Sequence, residues 1–382
     1  MSARRRAAIV GVAESEQGKT PHLTALSQQA MAVSAALGEA GLGREDVDAL
    51  FTAGGWSWSP ALTLAEYLGM RPTMLDGTNI GGSSFEAHLG HAAAAVQAGQ
   101  IDVAVLAYGS TQRTDRSRNQ PRAARLTEQF EAPFGLPTPV GAYALAATRY
   151  LHEYAATSAQ LAEVAVAARA WSALNPLAQR REPLTVDDVL ASPLVCEPLH
   201  ALDCCLVTDG GGAVVVAAED RWADVATRPV HVLGHAEATT HSTIANMPDL
   251  TTTAAASTGP AALRMAGVER DDIDVLEIYD SFTITVLLSL ESLGFCAPGQ
   301  AGALVASGRT APGGSLPMNT NGGGLAHTHP GMYGIYLLIE ATRQLRGDFA
   351  GTQRQVPGAE LALAHGTGGV LSSTSTIVLG RG

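Results

Sequence analysis

The sequence predicts an α/β protein made of two similar βαβ halves. Apolar strand-like segments alternate with longer helix-like segments in both halves, starting with residues 7–12 and a helical run over residues 23–42. A chain of 382 residues is long enough for two or three domains or for one duplicated architecture. No low-complexity segment or flexible linker divides it. Strands that alternate with helices in this way imply a parallel sheet.

The first hundred or so residues contain four predicted strands and a long Ala-rich helix. After residues 7–12, strands are expected at residues 47–52, 74–77 and 103–107. A Gly-Gly-Ser-Ser turn at residues 81–84 opens the helix, which ends at Gly99, as expected from serine at helix starts and glycine at helix ends.

An irregular segment follows the fourth strand. Residues 110–137 contain five arginines and three prolines: Arg113, Arg116, Arg118, Arg122, Arg125, Pro121, Pro133 and Pro137. Segments of this length are often functional, and we expect a surface excursion over about residues 110–180, in which helices resume at residues 140–174. The first half closes with a turn into a strand over residues 208–216, and we place the boundary between the halves after residue 228.

The second half, residues 229–382, repeats the scheme. Strands are expected at residues 230–234, 273–278 and 376–379. Helices are expected near residues 259–266, over residues 283–293 and after Pro330. Two such halves packed face to face account for the length of the chain.

Composition excludes several classes of function. The 36 acidic and 24 basic residues give a net charge of −12, and no sustained basic run is present, which argues against a nucleic-acid partner. No apolar stretch is long enough to cross a bilayer, and the first residues lack the apolar segment of a secretory signal. We therefore expect a cytoplasmic protein without a membrane partner.

Lysine and cysteine usage narrows the chemistry further. Lys19, in an early loop, is the only lysine, so a Schiff-base or pyridoxal enzyme with a buried lysine is not expected. The four cysteines, Cys196, Cys204, Cys205 and Cys296, lack the spacing of a zinc site or a disulfide framework. Neither a metal nor a resident cofactor is predicted.

Three segments of the second half are rich in polar residues and glycine. They are residues 277–282 (EIYDSF), 319–331 (NTNGGGLAHTHPG) and 364–369 (AHGTGG). Glycine clusters let backbone amides approach a ligand, and an adjacent helix N-terminus favours an anion or an oxyanion. Neither of the two glycine-rich segments, residues 319–331 and 364–369, has the Lys-Ser/Thr that follows the glycines of a phosphate loop, which excludes such a loop. From spacing alone, the three segments fit a catalytic site and simple tight turns equally well.

Taken together, these segments resemble the signature segments of the thiolase superfamily. The resemblance is to sterol-carrier-type thiolases and to bacterial lipid-transfer-protein-like enzymes, and it extends along the whole chain, including the segment LDCCLVTDG at residues 202–210. It implies a thiolase-like fold, in which the two halves form five layers in the order α-β-α-β-α.

Two departures from the family pattern concern the reaction. The family's nucleophilic cysteine stands at the start of the long helix of the first half, opposite Gly82, to within about one position. Ser281 replaces a second family cysteine, in the segment that precedes Phe282. Ser83 or Ser84 could act as a nucleophile with His88 or His91 as base, but the same serines also fit a helix cap, with His88 as a residue on the helix face.

The resemblance also assigns candidate site residues. His329 matches a catalytic histidine that helps to bind the thioester oxygen, and His365 matches a histidine of the family's terminal loop. Tyr279 and Asp280 lie where the family completes an oxyanion site; apart from the resemblance, they also fit a helix cap beside a half-buried ring. The sequence does not decide whether His327, two residues before His329, belongs to the site. The substrate-binding candidates are Gly82, Ser83, Ser84, Gly323, Gly324, Gly368 and Gly369.

A site that stabilises a thioester enolate but lacks the acyl-bearing cysteine is suited to aldol chemistry. The leading hypothesis is a carbon-carbon lyase, a retro-aldolase that cleaves a bulky, sterol-like β-hydroxyacyl-CoA to a ketone and a short acyl-CoA. The alternatives are an acyltransferase that uses Claisen condensation and a non-catalytic scaffold or lipid-carrying subunit. The resemblance further implies a homodimer and a small OB-fold partner that carries a zinc ribbon.

Overall fold

The computed structural model of the chain describes residues 5–54, 57–116 and 125–382. Arg118, Pro121 and Arg122 of the predicted excursion lie outside the described residues, as do the first four residues. Among the described helices, none is both long and apolar enough to cross a bilayer.

In the part of the chain that the structure describes, nine strands form one mixed sheet, and two more form a small hairpin. In chain order the strands are β1 (Ala7–Glu14), β2 (Ala49–Thr52), β3 (Met74–Asp76), β4 (Val103–Ser110), β5 (Leu194–Cys196), β6 (Leu199–His200), β7 (Gly210–Ala218), β8 (Val230–Thr239), β9 (Val275–Ile278), β10 (Leu361–Gly368) and β11 (Ser373–Arg381). The order in the large sheet is β3-β2-β4-β7-β1-β8-β11-β10-β9, and β5 pairs with β6.

The order of strands shows the duplication that the sequence predicts. The four-strand order β1-β7-β4-β2 of the first half matches the order β8-β11-β10-β9 of the second half. β4 and β2 are parallel in the first set, and β10 and β9 are parallel in the second. The other neighbouring pairs of both sets are antiparallel. The prediction of a parallel sheet is confirmed for β2, β3 and β4 but is wrong for the sheet as a whole. The last strand of each half enters between two strands that run the opposite way.

Thirteen α-helices are described. They are α1 (Ala25–Ala40), α2 (Pro60–Leu68), α3 (Ser84–Gln97), α4 (Gln112–Asp115), α5 (Arg125–Phe130), α6 (Val140–Glu153), α7 (Ser158–Ala173), α8 (Val186–Ala191), α9 (Ala255–Ala266), α10 (Thr283–Ser292), α11 (Ala301–Ala306), α12 (Gly323–Ala326) and α13 (Gly334–Arg346). Thr24 and Thr157 cap α1 and α7 through their side chains, and Gly41 ends α1 in the left-handed conformation.

The helices and the sheet form five layers. α1 packs mainly on strands of the first half and α9 mainly on strands of the second half, whereas α3 and α13 contact strands of both halves. Side chains of β1 alternate accordingly: Ile9 faces the central core that contains α3 and α13, and Val10 faces the outer core with α1. The α-β-α-β-α arrangement is confirmed.

The predicted surface excursion is only partly on the surface. Residues 126–139 are mostly exposed, but α6 and α7 each bury one face. These buried faces join the core that α9 and α10 form on the second half, and α7 packs on α10, α11 and α12. The excursion thus brings helices of the first half to the sheet of the second half.

Candidate active site

The two central helices begin side by side. A short 3₁₀ turn, Gly81–Ser83, leads into α3, and α13 starts at Gly334. A Cβ atom at Gly334 would collide with the carbonyl oxygen of Gly82, so only glycine permits this approach. Because a helix N-terminus carries a partial positive charge, two of them at one place favour an anion.

Tyr279 lies against this helix start. It follows the last residue of β9, its backbone N–H donates to the carbonyl oxygen of His365 at 2.9 Å, and the residue is only 4% exposed. A Cβ atom at Gly82 would lie 2.5 Å from Cζ of Tyr279 and from the carbonyl oxygen of Thr367. Gly82 is therefore required for the close approach of the Tyr279 ring.

Tyr279 and His329 form a hydrogen-bonded pair. The Tyr279 hydroxyl is 3.0 Å from Nε2 of His329, and the rings meet edge to face with centroids 5.7 Å apart. The backbone N–H of Tyr333 donates to the same hydroxyl at 3.0 Å. The hydroxyl thus accepts from Tyr333 and can donate its own proton to His329.

The protonation states agree with this direction. Burial lowers the pKa of His329 to about 4, against a hydrogen bond to its own backbone that raises it, so the imidazole is neutral at pH 7. In the neutral tautomer that carries its proton on Nδ1, Nε2 accepts the hydrogen bond from the Tyr279 hydroxyl. Burial raises the pKa of Tyr279 well above its usual value, so the phenol keeps its proton.

Asp280 fixes the glycine-rich turn under His329. Its carboxylate accepts hydrogen bonds from the backbone N–H groups of Gly324, at 2.6 Å, and Leu325, at 3.1 Å, at the start of α12. A Cβ atom at Gly324 would lie 3.0 Å from Oδ1 of Asp280 and 3.1 Å from Cδ2 of His329, so the carboxylate and the imidazole flank this glycine. Burial raises the pKa of Asp280 to about 6, although the backbone bonds oppose the shift.

The glycine at position 323 adopts a conformation that other residues avoid. Gly323 has φ +65°, and a Cβ atom there would collide with the Asp280 carboxylate. Gly323 and Gly324 thus let Asp280 reach the backbone of the turn. Gly368 and Gly369 serve a neighbouring contact, because their backbone packs on Gly81 at the start of the helix.

The structure brings Tyr279, Asp280 and His329 together but places His365 elsewhere. His365 is on β10, not in the terminal loop that the resemblance implied. The next residue, Gly366, faces Glu86 and Ser83 on the central side, so the His365 side chain lies on the opposite face of the sheet. There its Nδ1 is 2.9 Å from Oγ1 of Thr376, which contacts Thr258 of α9, and burial lowers its pKa to about 3.

The serines at the start of α3 are engaged with backbone groups. The Ser84 hydroxyl donates to the carbonyl oxygen of Gly81 at 2.6 Å, and the Ser83 hydroxyl lies 2.8 Å from that of Ser373. Nε2 of His88 lies 2.9 Å from the carbonyl oxygen of Thr78, and burial lowers the pKa of His88 to about 4. The pair of Ser84 with His88 considered from the sequence therefore does not form a hydrogen-bonded nucleophile and base.

His91 and His327 each bond to a carboxylate and not to Tyr279 or His329. His91 bonds to Asp76 at 2.6 Å, and this contact raises the pKa of His91 to about 9. His327 lies 3.1 Å from Glu14 through Nε2. His91 is thus an ion-pair residue, and His327 supports the loop that carries His329.

Several residues at the site were not identified from the sequence. Tyr333 stacks on His329 with an interplanar angle of 15°, and its hydroxyl donates to Oδ1 of Asn321 at 2.8 Å. The Thr208 hydroxyl accepts from the backbone N–H of His329 at 3.0 Å. Tyr143, from α6, donates to the carbonyl oxygen of Gly369 at 3.1 Å. An aromatic residue four positions after the histidine was the one signal available for Tyr333.

All four cysteines are free thiols, and one of them is near the site. Burial and the neighbouring Asp280 raise the pKa of Cys205, so this thiol is protonated and a poor nucleophile. Within the described residues, no group of three or more His, Cys, Asp or Glu side chains is placed to hold a metal ion.

The duplicated five-layer fold, with its site at the paired starts of the central helices, defines a thiolase-fold protein. The family described as "Thiolase C-terminal domain-like" matches residues 236–381. The chain is 34% identical to the 17-hydroxy-3-oxo-4-pregnene-20-carboxyl-CoA lyase of Mycobacterium tuberculosis, over 98% of this chain and 99% of that protein. It is 33% identical to the steroid side-chain-cleaving aldolase of Thermomonospora curvata, over 98% and 97%.

Other similar proteins span more than one activity. The chain is 32% identical to the acetyl-CoA acetyltransferase of Methanothermobacter thermautotrophicus, over 99% of this chain and all of that protein. The solved structure named Ltp2-ChsH2(DUF35) aldolase superposes with a TM-score of 0.90 at 32% identity and covers 98% of both chains. The chain belongs to the thiolase superfamily, as the resemblance of its sequence implied.

Proposed function

We propose that the protein is a carbon-carbon lyase that cleaves a bulky β-hydroxyacyl-CoA thioester by a retro-aldol reaction. The observation that carries the proposal is the Tyr279–His329 pair, a phenol hydrogen-bonded to a neutral imidazole beside the helix start at Gly82. The two relatives named as steroid side-chain lyase and aldolase, and the aldolase structure, support a CoA thioester of a steroid side chain as substrate.

The pair can remove the proton of the substrate's β-hydroxyl group. That hydroxyl donates its proton to the Tyr279 oxygen while Tyr279 passes its own proton to Nε2 of His329. The bond between the α and β carbons then breaks, its electrons form the thioester enolate, and the β carbon becomes a ketone. The proton returns from His329 through Tyr279 to the α carbon, which gives the short acyl-CoA and restores the enzyme.

The enolate oxygen needs donors that are oriented before the reaction. The start of α3 at Gly82 and the start of α13 at Gly334 face the Tyr279 region, and both supply helix N-termini. Asp280 adjoins Gly324 together with His329, so its carboxylate is placed to stabilise the imidazolium form while His329 holds the proton. His365 receives no part in this mechanism.

Acyl transfer is the second candidate, since an acetyl-CoA acetyltransferase is also similar over the whole chain. Residues 79–85 contain no cysteine. The hydroxyls of Ser83 and Ser84 bond to neighbouring hydroxyl and backbone groups, and Cys205 is a protonated thiol. The Claisen route therefore lacks an activated nucleophile, and aldol cleavage is favoured.

The substrate CoA thioester is the one non-protein group that the reaction requires. We propose that the protein forms a homodimer and acts with a small OB-fold partner that carries a zinc ribbon. The name of the aldolase structure, which joins Ltp2 with ChsH2(DUF35), supports a second component. We also assign the protein to the cytoplasm.

The direct test uses the CoA thioester of 17-hydroxy-3-oxo-4-pregnene-20-carboxylate, with and without the partner. A steroid ketone and a short acyl-CoA should appear in equal amounts, as measured by chromatography and mass spectrometry. An acyl adduct of the intact protein would support the transferase instead. Unchanged substrate with the partner present, together with unchanged complex formation by the His329→Ala variant, would favour a non-catalytic scaffold.

A further inference from the structure

Residues 204–208 pass directly over the candidate site. The backbone N–H groups of Cys205, Leu206 and Thr208 donate to the carbonyl oxygens of Ser281 at 3.0 Å, Gly324 at 2.9 Å and His329 at 3.3 Å. These acceptors belong to the segments that carry Asp280, the glycine-rich turn and the catalytic histidine. We call residues 204–208 the strap.

The strap lies on the side of the site that solvent reaches. Tyr279 is 4% exposed and Asp280 is fully buried, whereas Ser281 and His329 keep 7% and 8% exposure. The two more exposed residues are also bonded to the strap, through Cys205 and Thr208. The remaining solvent contact of the site therefore lies next to the strap.

Val207 gives the strap an apolar outer surface. Its side chain is 54% exposed, and Leu206 before it is half-buried. No charged residue lies between Asp203 and Asp209. Because the backbone on either side of Val207 is held by Gly324 and His329, its side chain is presented in one place, without a role in holding the turn.

We propose that Val207, supported by Leu206, is a specificity-determining residue that contacts the bulky apolar end of the acyl group. This inference rests on the proposed retro-aldol function. The reacting carbons lie inside, at Tyr279, so an acyl group larger than those carbons extends outward past the strap. Removing apolar surface there weakens the binding of a large acyl group more than that of a small one.

The test compares two thioesters, the steroid thioester named above and 3-hydroxy-3-methylbutanoyl-CoA. The small thioester is measured as a substrate or, if it is not cleaved, as a competitive inhibitor through its inhibition constant. In Val207→Ser the preference for the steroid thioester over the small thioester should fall about tenfold. Val207→Ile, which keeps an apolar side chain, should retain the wild-type preference. Val195→Ser is the matched control, because Val195 is similarly exposed, at 52%, but lies on β5, outside the strap.

The outcomes separate this inference from the proposed function. If the wild-type protein with its partner cleaves neither thioester, the proposed function fails. If the wild type cleaves the steroid thioester but Val207→Ser leaves the preference unchanged, or Val195→Ser changes it equally, only the role of Val207 is overturned. Thermal unfolding of each variant shows whether a lost activity reflects a lost fold.

Discussion

The Tyr279 hydroxyl lies 3.0 Å from Nε2 of His329, although the two residues are 50 positions apart in the chain. Tyr279 follows strand β9, and His329 precedes helix α13. The backbone N–H of Tyr333 completes the arrangement by donating to the same hydroxyl. A phenol that accepts from a backbone amide and donates to a neutral imidazole is oriented to relay one proton.

Replacing Tyr279 with phenylalanine should abolish this relay. We expect kcat/KM for thioester cleavage to fall by about 10²–10⁴, the usual contribution of general acid-base catalysis. The variant also leaves the buried N–H of Tyr333 without its acceptor, which costs about 1–3 kcal/mol of the free energy of unfolding. Steady-state kinetics and urea unfolding measure the two effects.

Tyr150→Phe is the control for the loss of a buried phenol. The Tyr150 hydroxyl donates to Glu291 in the second-half core, away from Tyr279. This variant should lose stability but keep its activity. Equal loss of activity in both variants would mean that the Tyr279 effect is structural.

Asp280 should determine the acid side of the pH profile. Its raised pKa of about 6 means that its carboxylate charge is lost as the pH falls through 6, while His329, with a pKa of about 4, is still neutral. Without that charge the imidazolium is less stable and the bonds to Gly324 and Leu325 weaken. We expect kcat/KM to decrease below about pH 6, and Asp280→Asn to show a low activity without that decrease. A decrease at pH 6 that survives in Asp280→Asn would assign it to another group.

Gly82→Ala tests the close approach of the Tyr279 ring. The new methyl group would lie 2.5 Å from Cζ of Tyr279, so the ring or the helix start must move. A displacement of about 1 Å at a reacting group costs about 100-fold in rate, and we expect a loss of that size in kcat/KM. Gly38→Ala, in α1 with open space around its Cα, should keep full activity and gain up to about 1 kcal/mol. Wild-type kinetics in Gly82→Ala would show that the contact is unimportant.

The sequence predicted most elements but not how the strands pair. Apolar periodicity located β1, β4, β7 and β8 within a few residues. Periodicity carries no information on direction, so the antiparallel entry of β7 and β11 was not foreseen. Strand β10 was not predicted, because His365, Gly366 and Gly368 suggest a loop. β10 requires glycine at position 366, because α3 packs so closely on this strand that a side chain at Gly366 would collide with Glu86.

Residue types in the sequence predicted part of the candidate site. Tyr279, Asp280 and His329 lie in segments with recognisable composition. Tyr333 bonds to Tyr279 through its backbone N–H, which every residue except proline has, so an aromatic side chain four positions after His329 was the only signal for it. The engagement of Ser83 and Ser84 with neighbouring groups also depends on the turn at the start of α3, which a sequence cannot show in atomic detail.

Cys205 should be dispensable. Its thiol lies near Tyr279 and Asp280, but its raised pKa keeps it protonated. We expect Cys205→Ala to retain cleavage activity within about threefold of the wild type, since no covalent step uses the thiol. For the same reason, cleavage activity should persist after the wild-type protein is treated with a thiol-alkylating reagent. Loss of activity in Cys205→Ala would instead point to acyl transfer through a thioester on the enzyme.

Glu86 makes the stability of the fold depend on pH. Both carboxyl oxygens are buried in α3 without a hydrogen-bond partner, and burial raises the pKa to about 8 from a usual value of 4.5. Between pH 4.5 and about 8 the unfolded chain loses this proton while the folded protein keeps it. The free energy of unfolding therefore decreases as the pH rises through this window, by at most about 1.4 kcal/mol per pH unit from this group.

Glu86→Gln removes the titration and keeps the shape of the side chain. Urea unfolding should show the variant more stable than the wild type at pH 8 by a few kcal/mol, with the difference shrinking toward pH 5. Glu66→Gln, at an exposed position on α2, removes the same charge and controls for the change in net charge. A stability difference between Glu86→Gln and wild type that stays constant from pH 5 to pH 8 would show that Glu86 is ionised in the folded protein. Water in the cavity that Glu86 lines together with His91 and His235 would then solvate the carboxylate.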